Sequence, residues 1–204
     1  MSTLFERVCP FFAYTLLRLH ILNLTKIKRT RFGIANFASY FVKILVKSFI
    51  CMKKAKTYVF SILLALTVGG LSALATANNM NIYDKINMPA LSPPGWLFPV
   101  VWTILFVLMG ISAAMIFTDT SAKKDDALFF YAISLVLNFS WSIFFFNMQS
   151  FVLAFVILIA LWLSIILTIV KYYSINKTAA WLQLPYLLWV TFAGYLNFAI
   201  VLLN

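Results

Sequence analysis

Acidic residues are nearly missing from this chain: Asp and Glu together number 5 in 204 residues, and histidine occurs once. The two cysteines, Cys9 and Cys51, and the histidine, His20, all precede Met52. The chain beyond Met52 therefore offers no disulfide, no Cys/His metal site and no imidazole base. Its four acids, Asp84, Asp119, Asp125 and Asp126, stand between apolar runs. No general acid/base pair can then be placed beside a buried nucleophile, and a hydrolase is not expected. Nor does an ionisable group stand well inside any apolar run, where pumps, voltage sensors and proton-coupled carriers place theirs, so ion-coupled transport is not expected.

What is present is apolar. The composition is 64% hydrophobic and 10% charged, with a mean hydropathy of +0.98, against roughly 45–50% apolar residues in soluble domains. Charge is concentrated at one end: residues 1–56 hold 11 of the 16 Lys and Arg and one acid, Glu6, while residues 57–204 hold 5 basic and 4 acidic residues. A basic segment beside a nearly neutral apolar body suits anionic lipid or a targeting role. Nucleic acid is a poor fit as a partner, because the body carries no basic face.

Residues 57–83, 86–118, 127–170 and 178–204 are free of charge, and about 20 apolar residues suffice to cross the hydrocarbon core as a helix. The 127–170 run would make a helix of about 66 Å, twice the membrane thickness, so it must fold back. Asn147, Met148, Gln149 and Ser150 are the natural turn. The expectation is an all-α integral membrane protein crossing five times, at about 57–77, 97–118, 127–146, 151–171 and 180–202. Lys53, Lys54, Lys56, Lys123, Lys124, Lys171 and Lys177 then share one side and Lys85 stands on the other. The positive-inside rule places the 78–96 loop and the end of the last span outside.

The first span has a rival reading, because Lys53-Lys54-Ala-Lys56, the apolar run and Ala75-Thr76-Ala77 resemble the parts of a secretory signal. Against it, Gly69, Ala73 and Ala77 form a small-residue stripe suited to close helix packing, or to a scaffolding role with another membrane protein. Residues 1–51 read as a basic extension ahead of a 52–204 membrane domain. It could be a targeting segment, a non-native start, or an interfacial helix over Phe32–Ile50 bearing Lys43 and Lys47. The Asn23-Leu24-Thr25 triplet is a weak glycosylation signal and decides nothing.

Within the spans stand Trp and Asn. Trp102, Phe106 and Met109 share a face of the second span, Ser134, Asn138 and Trp141 a face of the third, and Trp189, Ala193 and Asn197 a face of the fifth. Three helices could thus line one aromatic cavity with a few amide donors; equally, the amides could bond across helices and the rings fill the bundle. The loop Pro89-Ala-Leu-Ser-Pro93-Pro94-Gly-Trp96-Leu-Phe98-Pro99 is stiffened by its prolines. It would be either a lid over that cavity or a helix lead-in with Trp96 as an interfacial anchor.

Three stretches carry a family resemblance: Pro93-Pro-Gly-Trp-Leu-Phe-Pro-Val-Val-Trp102; Leu135-Val-Leu-Asn138-Phe-Ser-Trp-Ser142 with Phe144-Phe145; and Pro185-Tyr-Leu-Leu-Trp189-Val-Thr-Phe-Ala193-Gly-Tyr-Leu-Asn197. Together they resemble the TspO/MBR family of tryptophan-rich sensory or translocator proteins, over about residues 55–204. The resemblance implies a five-helix bundle, often a homodimer, that binds porphyrins, and in some members sterols or synthetic ligands, under the first loop. No cofactor is required; a porphyrin such as protoporphyrin IX or haem is the implied ligand. Carried over by motif, the ligand-binding residues would be Trp102, Phe106, Ser134, Asn138, Trp141, Trp189, Ala193 and Asn197, with Pro93, Pro94 and Trp96 in the lid. Ser134 stands where the family usually has Gln and Phe106 where Tyr is common, so polar recognition is weakened or moved. Tyr195 is followed by no basic residue, which leaves the sterol motif incomplete.

The resemblance implies a receptor, sensor or transporter for porphyrin-like tetrapyrroles. The alternative it implies is an enzyme that degrades porphyrin in light, with Trp102 and Trp189 as redox-active neighbours. The lysine pattern suits a bacterial inner membrane; the family also occupies mitochondrial outer membranes.

Overall fold

Apolar runs that cannot hydrogen-bond their backbone to lipid must satisfy it internally, and helices do so. The computed structural model describes the backbone of residues 31–84, 86–89 and 91–204, and within these the side chains of all but 31–53, 80, 81, 83 and 84. The chain divides into two units, residues 1–56 and 57–204. Of the first, only helical backbone from Arg31 onward and the last few side chains are described, so His20, Cys9 and the Asn23 triplet lie outside the described residues. The Phe32–Ile50 stretch is helical. Lys85 also lies outside them.

Helix α1 covers Arg31–Thr76 and runs into a 3-10 segment, Ala77–Asp84. Then come α2 (Leu97–Phe117), α3 (Lys124–Ser142, continued by a π-turn at Ile143–Asn147), α4 (Phe151–Tyr173) and α5 (Lys177–Leu203). Among the described residues, the helices long and apolar enough to cross a membrane are Lys54–Asn79, Leu97–Phe117, Lys124–Asn147, Phe151–Tyr173 and Lys177–Leu203. The protein is an all-α integral membrane protein with five such helices, as the apolar runs predict.

Local chemistry fixes the helix ends. Asp125 and Asp126 in the first turn of α3 complement its dipole, and the Asn176 side chain caps α5 by accepting from the Ala179 N–H (3.2 Å). The expected reversal at 147–150 is real: Met148 N donates to Ile143 O and Ser150 N to Phe144 O (both 3.1 Å), while Gln149 takes φ 50° to turn the chain. One end of the bundle is fastened by the Asp126–Lys171 ion pair between α3 and α4. The other is fastened by Asn79 Nδ2 on Asn147 Oδ1 (2.8 Å) and Asn147 Nδ2 on Ala75 O (2.9 Å).

Glycine sets the α1–α2 approach. A Cβ on Gly110 would lie 2.5 Å from the Ile62 Cα, and one on Gly69 would lie 2.3 Å from the Phe106 ring. Gly69 of the predicted stripe therefore meets α2, whereas Ala73 and Ala77 are exposed. Gly70, one residue along, has nothing within 4 Å.

A Gly110→Ala substitution forces two helix backbones apart and should cost about 1–3 kcal/mol, whereas Gly70→Ala should be neutral or slightly stabilising through helix propensity. Unfolding of the two variants in detergent measures the difference, and equal midpoints would refute the close-approach assignment.

Candidate functional site

The polar and aromatic residues on the inner faces separate into two groups with different surroundings. The aromatic group lies between α2 and α5. Trp102 stacks on Phe106 one turn further along α2 (centroids 5.6 Å, 30° between planes) and meets Tyr186 (6.1 Å) and Trp189 (6.5 Å, 90°) edge to face. Phe98 closes on Trp189 from above (5.9 Å), and Phe192 flanks it (5.7 Å). Such edge and offset contacts are the favoured arrangements of aromatic quadrupoles. The Trp189 indole N–H is buried here and has no hydrogen-bond partner.

The amide group lies between α3 and α5. Trp141 Nε1 donates to Asn197 Oδ1 (3.2 Å), Asn197 Nδ2 donates to the Phe151 carbonyl at the start of α4 (3.0 Å), and Asn138 Nδ2 donates to Tyr186 Oη (3.3 Å). The Ser134 hydroxyl donates back to Tyr131 O (2.7 Å). Ser134, Asn138, Trp141, Ala193 and Asn197 are all buried. Trp102, Phe106 and Trp189 thus come together as a ring wall, while Asn138, Trp141 and Asn197 tie three helices to one another. Each of these bonds across helices is worth roughly 0.6–2 kcal/mol in lipid.

Tyr186 joins the two groups and was not singled out by the motifs. Its ring touches Trp102, its hydroxyl accepts from Asn138, and it is buried. Its place three residues before Trp189, and seven before Ala193, puts it on the same helical face, which is the signal that could have found it. Just before it, Pro185 removes the N–H that the Trp181 carbonyl would otherwise accept.

The helices do not all reach the same height. Trp189 lies about 22 Å below Asn204 along α5, while its α2 neighbours Phe98 and Trp102 lie within about 8 Å of the start of α2. The end of α5 therefore stands roughly 15–20 Å beyond the start of α2. The Trp141–Asn197 bond and the Asn147–Ala75 bond bring α1 and the α3–α4 turn up to the same level. In segment 77–96, Ile82 and Pro89 are buried and Ile86 packs on the core. Pro93 is half-buried, Pro94 is exposed and Trp96 is 67% exposed at the N-cap of α2. The buried residues of this loop are thus Ile82 and Pro89, with Ile86 partly buried, and Trp96 points outward. The Ser92 hydroxyl is buried in this loop without a partner.

Two apolar grooves open on the outside of the bundle. One, of about 490 Å³, runs between α2 and α5 past Ile104, Leu108, Leu188 and Trp189; the other, of about 350 Å³, runs between α4 and α5 past Trp162 and Gly194. Among the described residues no three His, Cys, Asp or Glu gather in one place.

A flat, largely apolar ligand fits the chemistry of the ring wall, with Trp189 Nε1–H as the donor not already engaged. The amides of Asn138 and Asn197 are engaged in fixing Tyr186 and the helix spacing.

A profile described as the TspO/MBR family matches residues 61–203. The tryptophan-rich protein TspO of Chlorobaculum tepidum is 40% identical over 156 residues, 74% of this chain and 98% of its own. The tryptophan-rich sensory protein of Cereibacter sphaeroides is 35% identical over 122 residues, 60% of this chain and 76% of its own. The translocator protein of Sus scrofa is 31% identical over 121 residues, 58% of this chain and 72% of its own.

Because a Cβ at position 69 collides with the Phe106 ring, Gly69→Ala should displace that ring from Trp102 and change the near-UV circular dichroism of the tryptophans. Ala73→Val, at an exposed position four residues on, should leave the spectrum as it is. Identical spectra for both variants would contradict the Gly69–Phe106–Trp102 stack.

Proposed function

The chain belongs to the TspO/MBR family, and we propose that it is a membrane receptor or sensor that binds porphyrin-like tetrapyrroles against the ring wall of α2 and α5. One observation carries the reading: Trp102 and Trp189 meet at 90° within a shell of Phe98, Phe106 and Tyr186, and the Trp189 N–H is left without an acceptor. A porphyrin has the flat π-face that edge and offset aromatic contacts favour, and its ring nitrogens or peripheral oxygens include acceptors. The names of the relatives, sensory and translocator proteins, point the same way.

In this reading the macrocycle parts the rings of α2 and α5. The lysines gathered at the helix ends opposite the 77–96 loop support an orientation with that loop on the outer side, in this reading of a bacterial inner membrane. A homodimer belongs to the same reading and is measured by mass in detergent.

A second reading, light-driven degradation of the porphyrin, draws on the same pair, because Trp102 and Trp189 are 6.5 Å apart. It predicts a new product that grows with illumination, and bleaching equal to that of free porphyrin in detergent excludes it.

Titration of protoporphyrin IX against tryptophan fluorescence tests the binding site. The Trp102→Phe/Trp189→Phe double variant should bind at least about tenfold more weakly, the consequence of losing roughly 1.4 kcal/mol of ring contact and the indole donor. The remaining four tryptophans still report binding, and an unchanged affinity would place the ligand elsewhere.

A further inference from the structure

Two phenols stand apart from the ring wall, toward the lysine-bearing end of the bundle. Tyr131 of α3 and Tyr172 of α4 are 5% and 0% exposed, and neither hydroxyl has a hydrogen-bond partner in the protein. The Asp126–Lys171 ion pair sets the register of these antiparallel helices. Tyr131 lies five residues deeper than Asp126, and Tyr172 one residue nearer the end than Lys171, so their levels differ by about 9 Å. Long side chains on a helix lean toward its N-terminus. Tyr131 therefore leans toward the helix ends and Tyr172 toward the middle of the bundle, each toward the level of the other. The Tyr131 phenol acts electrostatically on Tyr172, and on Tyr186 as well.

The polar groups at this end of the bundle have their hydrogens committed elsewhere. Ser112, Ser134, Ser164, Thr168 and Gln183 are all buried, within about 15 Å of the same helix ends. Ser112 Oγ donates to Ala179 O (2.8 Å) and accepts from Gln183 Nε2 (3.1 Å). Ser134 donates to Tyr131 O (2.7 Å), Ser164 to Leu161 O (2.7 Å) and Thr168 to Ser164 O (2.8 Å). These last three hydroxyls keep lone pairs free to accept. Ser134 and Thr168 stand one turn from Tyr131 and Tyr172, on the same helical faces. Two buried donors without acceptors thus face a neighbourhood with acceptors to spare, and a molecule that both accepts and donates would satisfy each side.

We propose that Tyr131 and Tyr172 hold an internal water molecule between α3 and α4, a hydration site that joins the two helices below the ring wall. The water accepts from both phenols and gives its hydrogens to free lone pairs of the neighbouring hydroxyls, of which Ser134 and Thr168 are nearest in register; buried waters make about three such bonds. An anion is a poor rival, because the buried residues around the phenols carry no counter-charge. Neither apolar groove is lined by any of these residues. The site is a property of the bundle and does not depend on the tetrapyrrole reading.

A double-mutant cycle on the full chain, unfolded in detergent, tests it. Tyr131→Phe and Tyr172→Phe each remove one oxygen and keep the ring. With a water joining the phenols, either variant should raise the unfolding equilibrium constant by about tenfold. The double variant should be little worse than either single one, because the first removal already breaks the bridge. Infrared difference spectra between ordinary and oxygen-18 water should show a band from a tightly held water in the wild type that the double variant lacks. Tyr173→Phe, at an exposed neighbour whose ring lies under Lys177, should change neither readout. Single variants as stable as the wild type, or more stable, would overturn the proposal, since removing a dry, unpaired hydroxyl relieves the bundle. Destabilisations that add in full would overturn it too, as the mark of two separate sites. Coupled destabilisation without the oxygen-18 band would replace the water with a direct bond between the phenols.

Discussion

Hydrocarbon offers no hydrogen-bond partners, and almost everything in this bundle follows from that. The backbone closes its own bonds within five helices. Every polar side chain admitted to the interior then needs a named partner, because an unpaired one is costly there. Asn138 finds Tyr186, Asn197 finds both Trp141 and the Phe151 carbonyl, and Gln183 donates to Ser112, whose hydroxyl donates to Ala179 O. These bonds run between helices, so the same requirement that makes polar groups scarce makes the few present into cross-braces. Trp189 Nε1, Tyr131 Oη and Tyr172 Oη stand out as buried atoms left without a partner. Only the first of them sits in the ring wall.

This division of labour gives the site its character. The rings of α2 and α5 contribute the surface, the amides of α3 and α5 hold it in register, and glycines let α1 come close behind it. Gly69 is the link between the first and the last of these roles, since its missing side chain is the space that Phe106 occupies beside Trp102. In the proposed reading recognition is accordingly one of shape and π-surface, with a single indole donor, in a bundle whose described Lys and Asp residues stand at the helix ends.

Much of this was legible in the sequence, for physical reasons. Charge-free runs fix the spans because a charged residue in the core is so unfavourable, and the membrane-length apolar stretches lie within a few residues of the predicted spans, although α1 extends back to Arg31. The Asn147–Ser150 reversal was legible because a 44-residue helix would overshoot the membrane; the π-turn and the positive φ of Gln149 that carry it out were not. Helical spacing put Trp102 with Phe106 and Trp189 with Ala193 and Asn197, yet spacing says which face a residue occupies and not which neighbour it meets. Tyr186 was passed over for that reason, and spacing left open whether the amides line a cavity or bond across helices; in the structure Asn138 bonds to Tyr186 and Asn197 to Trp141 and the Phe151 carbonyl. The loop was least legible: Ile82 and Pro89 are buried in it while Trp96 faces out, and it pairs through Asn87 with Asn204, 117 residues away in sequence.

The central claim is that a tetrapyrrole lies against Trp102 and Trp189, beneath the loop and inside the braces formed by Asn138, Trp141 and Asn197. A structure of the protein with protoporphyrin IX bound tests it most directly. The account predicts the macrocycle in contact with both rings, within hydrogen-bonding reach of Trp189 Nε1, and with the Trp141–Asn197 and Asn138–Tyr186 bonds intact. A macrocycle seated in either lipid-facing groove, or one that has taken the Asn138 and Asn197 amides for itself, would contradict it.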